Sequence, residues 1–168
     1  TNVGLPFGPG FFTGAFQWHL VLPAGGSDSV LVSISVQDDA TFELHEFDWS
    51  DLGQGKAGST GTPLLDGSGP LSPGSANVLT LGGGGPSSAA TLAVGLLRID
   101  APFKGGVLVP SPMLLLPLAT SAVGGFALPF TMPPGLPSGA SVFLQAWISD
   151  PGASEGLSAS NGLQGTTP

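Results

Sequence analysis

The sequence predicts an all-β chain: an antiparallel, jelly-roll-like β-sandwich of about nine short strands, preceded by an extended N-terminal arm. Short apolar segments with period-two alternation recur along the chain, and 28 Gly and 17 Pro residues divide them. No segment shows a clear amphipathic-helix pattern; the Leu and Ala content of 90–100 permits a helix, but Gly95 and the alternation there favour a strand. Leu, Ile, Val and Phe supply 48 of the 168 residues, which is enough apolar material to build a core in spite of the Gly and Pro content.

The extended arm is predicted over residues 1–14, where Phe7, Phe11 and Phe12 stand among closely spaced Gly and Pro residues. Residues 15–168 are expected to form a single β-sandwich domain. Three aromatic rings are too much apolar surface to leave in water, so we expect them to pack against another copy of the chain. Folding of the arm over its own sandwich is the alternative.

Strands are predicted along the whole chain after the arm. The clearest runs over 30–36, where Val and Ile alternate with Ser. The segment 141–148 carries large apolar residues on both faces and is therefore expected at the centre of a sheet, near the core together with 30–36. The proline-edged runs over 106–118 belong at sheet edges or strand ends because proline donates no ladder hydrogen bond. The other predicted strands cover 16–22, 41–47, 64–65, 77–81, 90–100, 106–110, 113–118, 126–132 and the C-terminal end.

Residues 48–76 form a polar stretch broken by Gly and Pro, and the pattern leaves open whether it is ordered. Lys56 is expected to lie in an open loop there. We therefore expect trypsin to cut mainly after this residue.

The last third of the chain, about 113–164, resembles the C-terminal β-module of a class of secreted bacterial proteins. The resemblance implies an all-β module and an extracellular location, and it implies no activity. The resemblance rests on a pattern of a Gly, a hydrophobic pair followed by Gln-Ala, an Asp-Pro and a closing Leu-Ser-Ala-Ser-Asn. The matching residues are Gly139, Phe143, Leu144, Gln145, Ala146, Asp150, Pro151, Leu157, Ser158, Ser160 and Asn161.

The composition excludes several classes of function. Lys56, Arg98 and Lys104 are the only Lys and Arg residues and the formal net charge is −8, so no basic face exists for nucleic acid or for an anionic membrane surface. The chain has no Cys, which excludes disulfides and a Cys nucleophile. No apolar stretch reaches 18 residues, so membrane insertion is not expected. A start at Thr1 and a polar surface rich in Ser, Thr and Gly predict an extracellular or cell-surface protein after signal-peptide removal.

No catalytic grouping is recognised, and the chain is expected to be neither an enzyme nor a cofactor protein. There is no G-K-[ST] phosphate loop and no G-x-S-x-G nucleophile elbow. His19 and His45 lack a third ligand at a fixed spacing, so no metal site is predicted from them. The acidic residues over 38–51 lack the spacing of a calcium loop, and calcium binding there is left open.

Trp49 has two interpretations. An exposed indole between Asp48 and Asp51 is the kind of platform that stacks on a sugar ring, with the carboxylates accepting hydroxyl protons. Alternatively, the ring covers an open end of the sandwich.

The function predicted from these features is that of a secreted structural protein that associates with copies of itself in a filament, sheath or surface layer. Low charge, a Cys-free β architecture and the apolar arm favour it. The alternative is a carbohydrate-binding β-sandwich module that holds an extracellular glycan at Trp49, Asp48 and Asp51.

Overall fold

The computed structural model of the chain describes residues 48–168. The arm, the strands predicted over 16–47, the acidic residues before Asp48 and both histidines lie outside this range. The described part contains eleven strands and a 3-10 turn. They are β1 (Trp49–Asp51), β2 (Leu64–Ser68), β3 (Ala76–Gly82), β4 (Ala89–Gly95), β5 (Arg98–Phe103), β6 (Gly106–Pro110), β7 (Leu114–Ala119), β8 (Phe126–Thr131), β9 (Ser141–Ser149), the turn Ser154–Gly156, β10 (Leu157–Ala159) and β11 (Leu163–Thr166).

The strands form three antiparallel sheets. The largest has six strands in the order β1-β11-β9-β4-β7, with β10 also paired to β9. A second sheet has the order β2-β3-β8, and β5 pairs with β6 in a hairpin. The predicted all-β, antiparallel, sandwich-like fold is confirmed.

The hydrophobic core lies between the six-stranded and the three-stranded sheet. Leu65, Leu79 and Leu81 of the smaller sheet meet Leu92 and Ile148 of the larger one, and all five side chains are almost completely buried. The alternation in β3, β4 and β9 turns one side of each strand to this core. Leu144 is buried and β9 lies between β11 and β4, which confirms the prediction for 141–148.

The opposite face of the six-stranded sheet is partly covered by the β5–β6 hairpin. Phe103 of β5 packs its ring edge against Trp147 of β9, with 4.9 Å between ring centroids. Val109 of β6 is fully buried, and Gln145 of β9 points toward the same side. Both faces of β9 are therefore packed against other parts of the protein, as its sequence predicts.

The predicted strand at 90–100 is two strands. A Cβ at Gly95 would lie 2.0 Å from the Ser111 carbonyl oxygen, so the chain passes too close there for any other residue. β4 ends at Gly95, and β5 begins at Arg98 as part of a separate hairpin. The C-terminal strand is likewise divided into β10 and β11.

The segment 48–76 is built into the fold. The backbone N–H of Lys56 donates to the Ala159 carbonyl at 2.9 Å, and the side chain is only 8% exposed. Its ammonium donates to the carbonyls of Ser154 and Leu157. The prediction that Lys56 lies in an open loop is wrong, because its charge is satisfied by backbone oxygens rather than by water.

Within residues 48–168, no helix is both long enough and apolar enough to cross a membrane.

Candidate functional site

Two buried amide side chains connect the sheets. Gln145 is fully buried, and its Oε1 accepts hydrogen bonds from the Val109 N–H at 3.0 Å and the Trp147 indole N–H at 3.1 Å. Its Nε2 donates to the carbonyls of Val107 and Ser160 at 3.0 and 3.1 Å. The amide thus acts as a backbone partner for one edge of β6 and attaches the hairpin to the sheet.

Asn161 does the same for β2. Its Oδ1 accepts from the Leu65 N–H at 2.8 Å, and its Nδ2 donates to the Leu65 carbonyl at 3.1 Å and to the Asp51 carboxylate at 3.0 Å. Just before it, Ser160 pairs with Ala146, donating its N–H to the carbonyl and accepting the N–H on its hydroxyl, both at 2.9 Å. These contacts bridge the gap between β10 and β11.

Asp150 anchors the loop that contains Ser59. Its carboxylate accepts hydrogen bonds from the Ser59 N–H at 2.6 Å, the Ser59 hydroxyl at 2.8 Å and the Gly152 N–H at 3.1 Å. The bond from the Ser59 backbone is the main reason that the pKa of Asp150 is lowered. The hydroxyl of neighbouring Ser158 is buried and has no hydrogen-bond partner among the described residues.

These contacts give a structural role to several residues of the C-terminal segment singled out in the sequence. Gln145, Asp150, Ser160 and Asn161 have their polar atoms engaged by the protein itself. They position strands and loops. They do not converge on an open surface where a substrate would sit.

Trp49 is packed into the sandwich on β1. Its indole N–H donates to the Gly69 carbonyl at 3.0 Å, and its ring meets Phe130 edge-on at 6.3 Å between centroids. A Cβ at Gly67 would lie 2.3 Å from the indole, so the ring rests directly on that backbone. This placement favours the interpretation in which Trp49 covers part of the sandwich.

The two neighbouring carboxylates lie in different surroundings. Asp51 is exposed and accepts hydrogen bonds from the Gly53 N–H at 2.8 Å and from Asn161. Asp48 is half-buried at the start of the described residues, where its carbonyl accepts the Thr166 N–H at 2.7 Å. Within 48–168, no three His, Cys, Asp or Glu side chains are grouped to hold a metal ion.

A cleft between the two sheets, which we call the edge cleft, is open to a partner. It has a volume of about 400 Å³ and reaches down to the core residues Leu79 and Leu92. Side chains of β7 and β8 line it, including Leu114, Leu116 and Phe130. Among the described strands, β7 pairs only with β4 and β8 only with β3, so both are edge strands.

A second apolar groove of about 390 Å³ lies on the outer face of the six-stranded sheet. Its lining includes the small residues Ala89 and Ala93 of β4, together with Phe103 and Trp147. Leu115 of β7 borders this groove, whereas its neighbour Leu114 borders the edge cleft. One edge strand therefore contributes to two apolar surfaces.

No protein-family model, curated protein or solved structure matches the chain.

Sequence reasoning predicted edge or strand-end positions for 106–118, but it predicted neither the edge position of β8 nor the cleft. The prolines in 106–118 indicated edge strands, and β7 is one. The cleft forms because β7 and β8 are edge strands of two different sheets and their side chains line the same space. Strand periodicity does not predict how two sheets are placed.

Proposed function

We propose that the protein is a structural protein that associates with copies of itself in a filament, sheath or surface layer outside the cell. The observation that supports this best is an apolar surface at one end of the sandwich. We call it the apolar tip, and it consists of Leu96, Leu97, Met113 and Leu114.

The members of the apolar tip are large side chains, each at least half exposed, in the turn after β4 and at the start of β7. The Ser111 N–H donates to the Leu97 carbonyl and the Met113 N–H to the Val94 carbonyl, which joins the turn after β4 to the start of β7. Met113 is 72% exposed and Leu97 67%. Exposed apolar surface of this kind is typical of interaction sites in soluble proteins.

The charges near this end do little to prevent association. The chain has three Lys and Arg residues in all, and lysine is the residue that commonly prevents an exposed sheet edge from pairing with another chain. Of these three, Lys56 is buried and Arg98 pairs with Asp100 at 2.7 Å. Lys104 stands at the end of the β5–β6 hairpin. Contacts between copies would therefore be mainly apolar, and the Phe7, Phe11 and Phe12 rings of the arm would supply apolar side chains for them.

Electron microscopy and light scattering of the full-length chain over a concentration series test this proposal. We expect ordered polymers above a threshold concentration. A monodisperse monomer at every concentration would contradict it.

The alternative is a carbohydrate-binding module at Trp49, Asp48 and Asp51. The Trp49 ring lines the edge cleft, which leaves part of it open to a ligand. A glycan-array screen of the wild type and Trp49→Ala tests it, with Trp147→Phe as the aromatic control. Binding that is lost only in Trp49→Ala would favour this alternative.

A further inference from the structure

Building on the self-association proposed above, we infer that the edge cleft is the acceptor site and that it receives the N-terminal arm, residues 1–14, of a second copy. The arm would be held by its phenylalanine side chains rather than by continuous strand pairing. Head-to-tail contact of this kind, between an arm and a cleft, is heterologous and generates open filaments when it does not close into a ring.

The chemistry of the edge cleft restricts its occupant. Sixteen of the described residues line it and none of these is ionisable. Thr131 is the one hydroxyl side chain among them, and the indole N–H of Trp49 already donates to Gly69. An occupant thus gains free energy mainly by removing apolar surface from water, at roughly 25 cal/mol per Å².

The β7 edge offers an incomplete hydrogen-bond ladder. The Thr120 N–H donates to the Ser88 carbonyl, and bonded pairs alternate along an antiparallel ladder. Pro117, three residues earlier, therefore stands where the peptide nitrogen faces away from β4, and it has no hydrogen to donate there.

The β8 edge repeats this arrangement. The Met132 N–H donates to the Ser75 carbonyl, which places Pro129 at a position facing away from β3. Each edge of the cleft thus lacks a donor at its centre, and a regular β-strand would lose a ladder bond on either side.

The arm matches both properties of the cleft. Residues 1–14 contain no ionisable side chain, although the chain as a whole carries a net charge of −8. Pro6 and Pro9 lack N–H groups themselves, so the arm cannot form a continuous ladder with either edge, and side-chain contacts must supply most of the binding. Phe7, Phe11 and Phe12 supply the apolar side chains, each able to bury roughly 150–250 Å².

Cysteine cross-linking tests this contact directly, because the chain has no Cys of its own. Two differently tagged full-length variants, Phe11→Cys and Leu136→Cys, are mixed and mildly oxidised. Leu136 lines the cleft and is 38% exposed. We expect a disulfide-linked species carrying both tags. Pairing Phe11→Cys with Val123→Cys, which lies outside the cleft lining, is the control and should give at least fivefold less product.

A double variant, Phe11→Cys with Leu136→Cys in one chain, separates the two possible sources of the arm. Cross-linked oligomers at assembly concentration support the inference. A product that is purely internal and monomeric at every concentration means that the arm fills its own cleft, and the inference then fails.

Two substitutions of adjacent residues on β7 give a matched assembly test. Leu114 borders the edge cleft and is 50% exposed, whereas Leu115 borders the outer groove and is 58% exposed. With unchanged circular dichroism and melting temperature, we expect Leu114→Glu to raise the threshold concentration at least tenfold over Leu115→Glu. Equal thresholds would overturn the inference and leave the proposed function standing. A wild type that never assembles would overturn the proposed function itself.

Discussion

At the scale of single residues, two buried amide side chains form the hydrogen bonds that a neighbouring strand would otherwise form. Gln145 and Asn161 each bond both an N–H and a C=O of a neighbouring chain segment. Buried backbone groups without a partner are costly, so such a side chain is irreplaceable by an apolar one of similar size. This accounts for polar residues in a segment that is otherwise core.

Asn161→Leu is expected to destabilise the fold strongly. The substitution leaves the Leu65 N–H and C=O unpaired, and each orphaned group costs about 1–3 kcal/mol. We expect the free energy of unfolding in urea to fall by about 2–5 kcal/mol. Gln164→Leu is the control, since among the described residues the Gln164 amide bonds only the hydroxyls of Ser141 and Thr166. Similar losses for both variants would contradict the role assigned to Asn161.

Asp150 makes stability depend on pH in a defined direction. Hydrogen bonds from Ser59 lower its pKa in the folded state, so the folded protein favours the carboxylate. This stabilisation is present above the unfolded-state pKa of about 4 and is lost as the pH falls through the lower, folded-state pKa. Asp150→Asn should therefore flatten the fall in melting temperature below pH 4.

The control for Asp150 is Asp66→Asn. The exposed carboxylate of Asp66 accepts a bond from Gly67, its neighbour in the chain. We expect this variant to keep the pH profile of the wild type. If the two variants have the same acid profile, the Ser59 contacts do not stabilise the folded state.

At the scale of elements, the β5–β6 hairpin is the most accessible site for trypsin. Lys104 is exposed at its turn and is followed by Gly105, and both have positive φ, at 47° and 71°. Exposed turns fit a protease cleft without unfolding of the sheet, whereas Lys56 is bound on its backbone and side chain. Mass spectrometry of a limited digest should show a first cut after Lys104, and Lys104→Gln should delay it. A first cut after Lys56 would show that its anchoring is weak.

The elements also show what periodicity predicts and what it leaves out. Alternation predicted β9 with its two faces correctly, because period two is a local property of an extended chain. It joined β4 to β5, because the break at Gly95 arises from the approach of Ser111, a contact distant in sequence. The hydrogen bonds of Gln145 and Asn161 were not predicted for the same reason. In a sequence, a buried amide cannot be distinguished from a solvated one until the strands that it bonds are placed.

At the scale of the whole molecule, assembly should respond to charge in a way that reports its physical origin. Copies with a net charge of −8 repel each other, while the proposed contact between arm and cleft is apolar and uncharged. Salt screens the repulsion, with a Debye length of about 30 Å at 0.01 M and about 10 Å at 0.1 M, and it leaves an apolar contact intact. We therefore expect the threshold concentration, measured by light scattering, to fall as NaCl rises from 0.01 to 0.3 M. It should fall further in sulfate, which strengthens apolar association.

Lowering the pH from 8 toward 5 should also lower the threshold concentration, because the negative net charge becomes smaller as the pH approaches the isoelectric point near 4.1. A threshold that rises with salt would mean that ion pairs hold the copies together, and an apolar contact would then not be the main source of assembly.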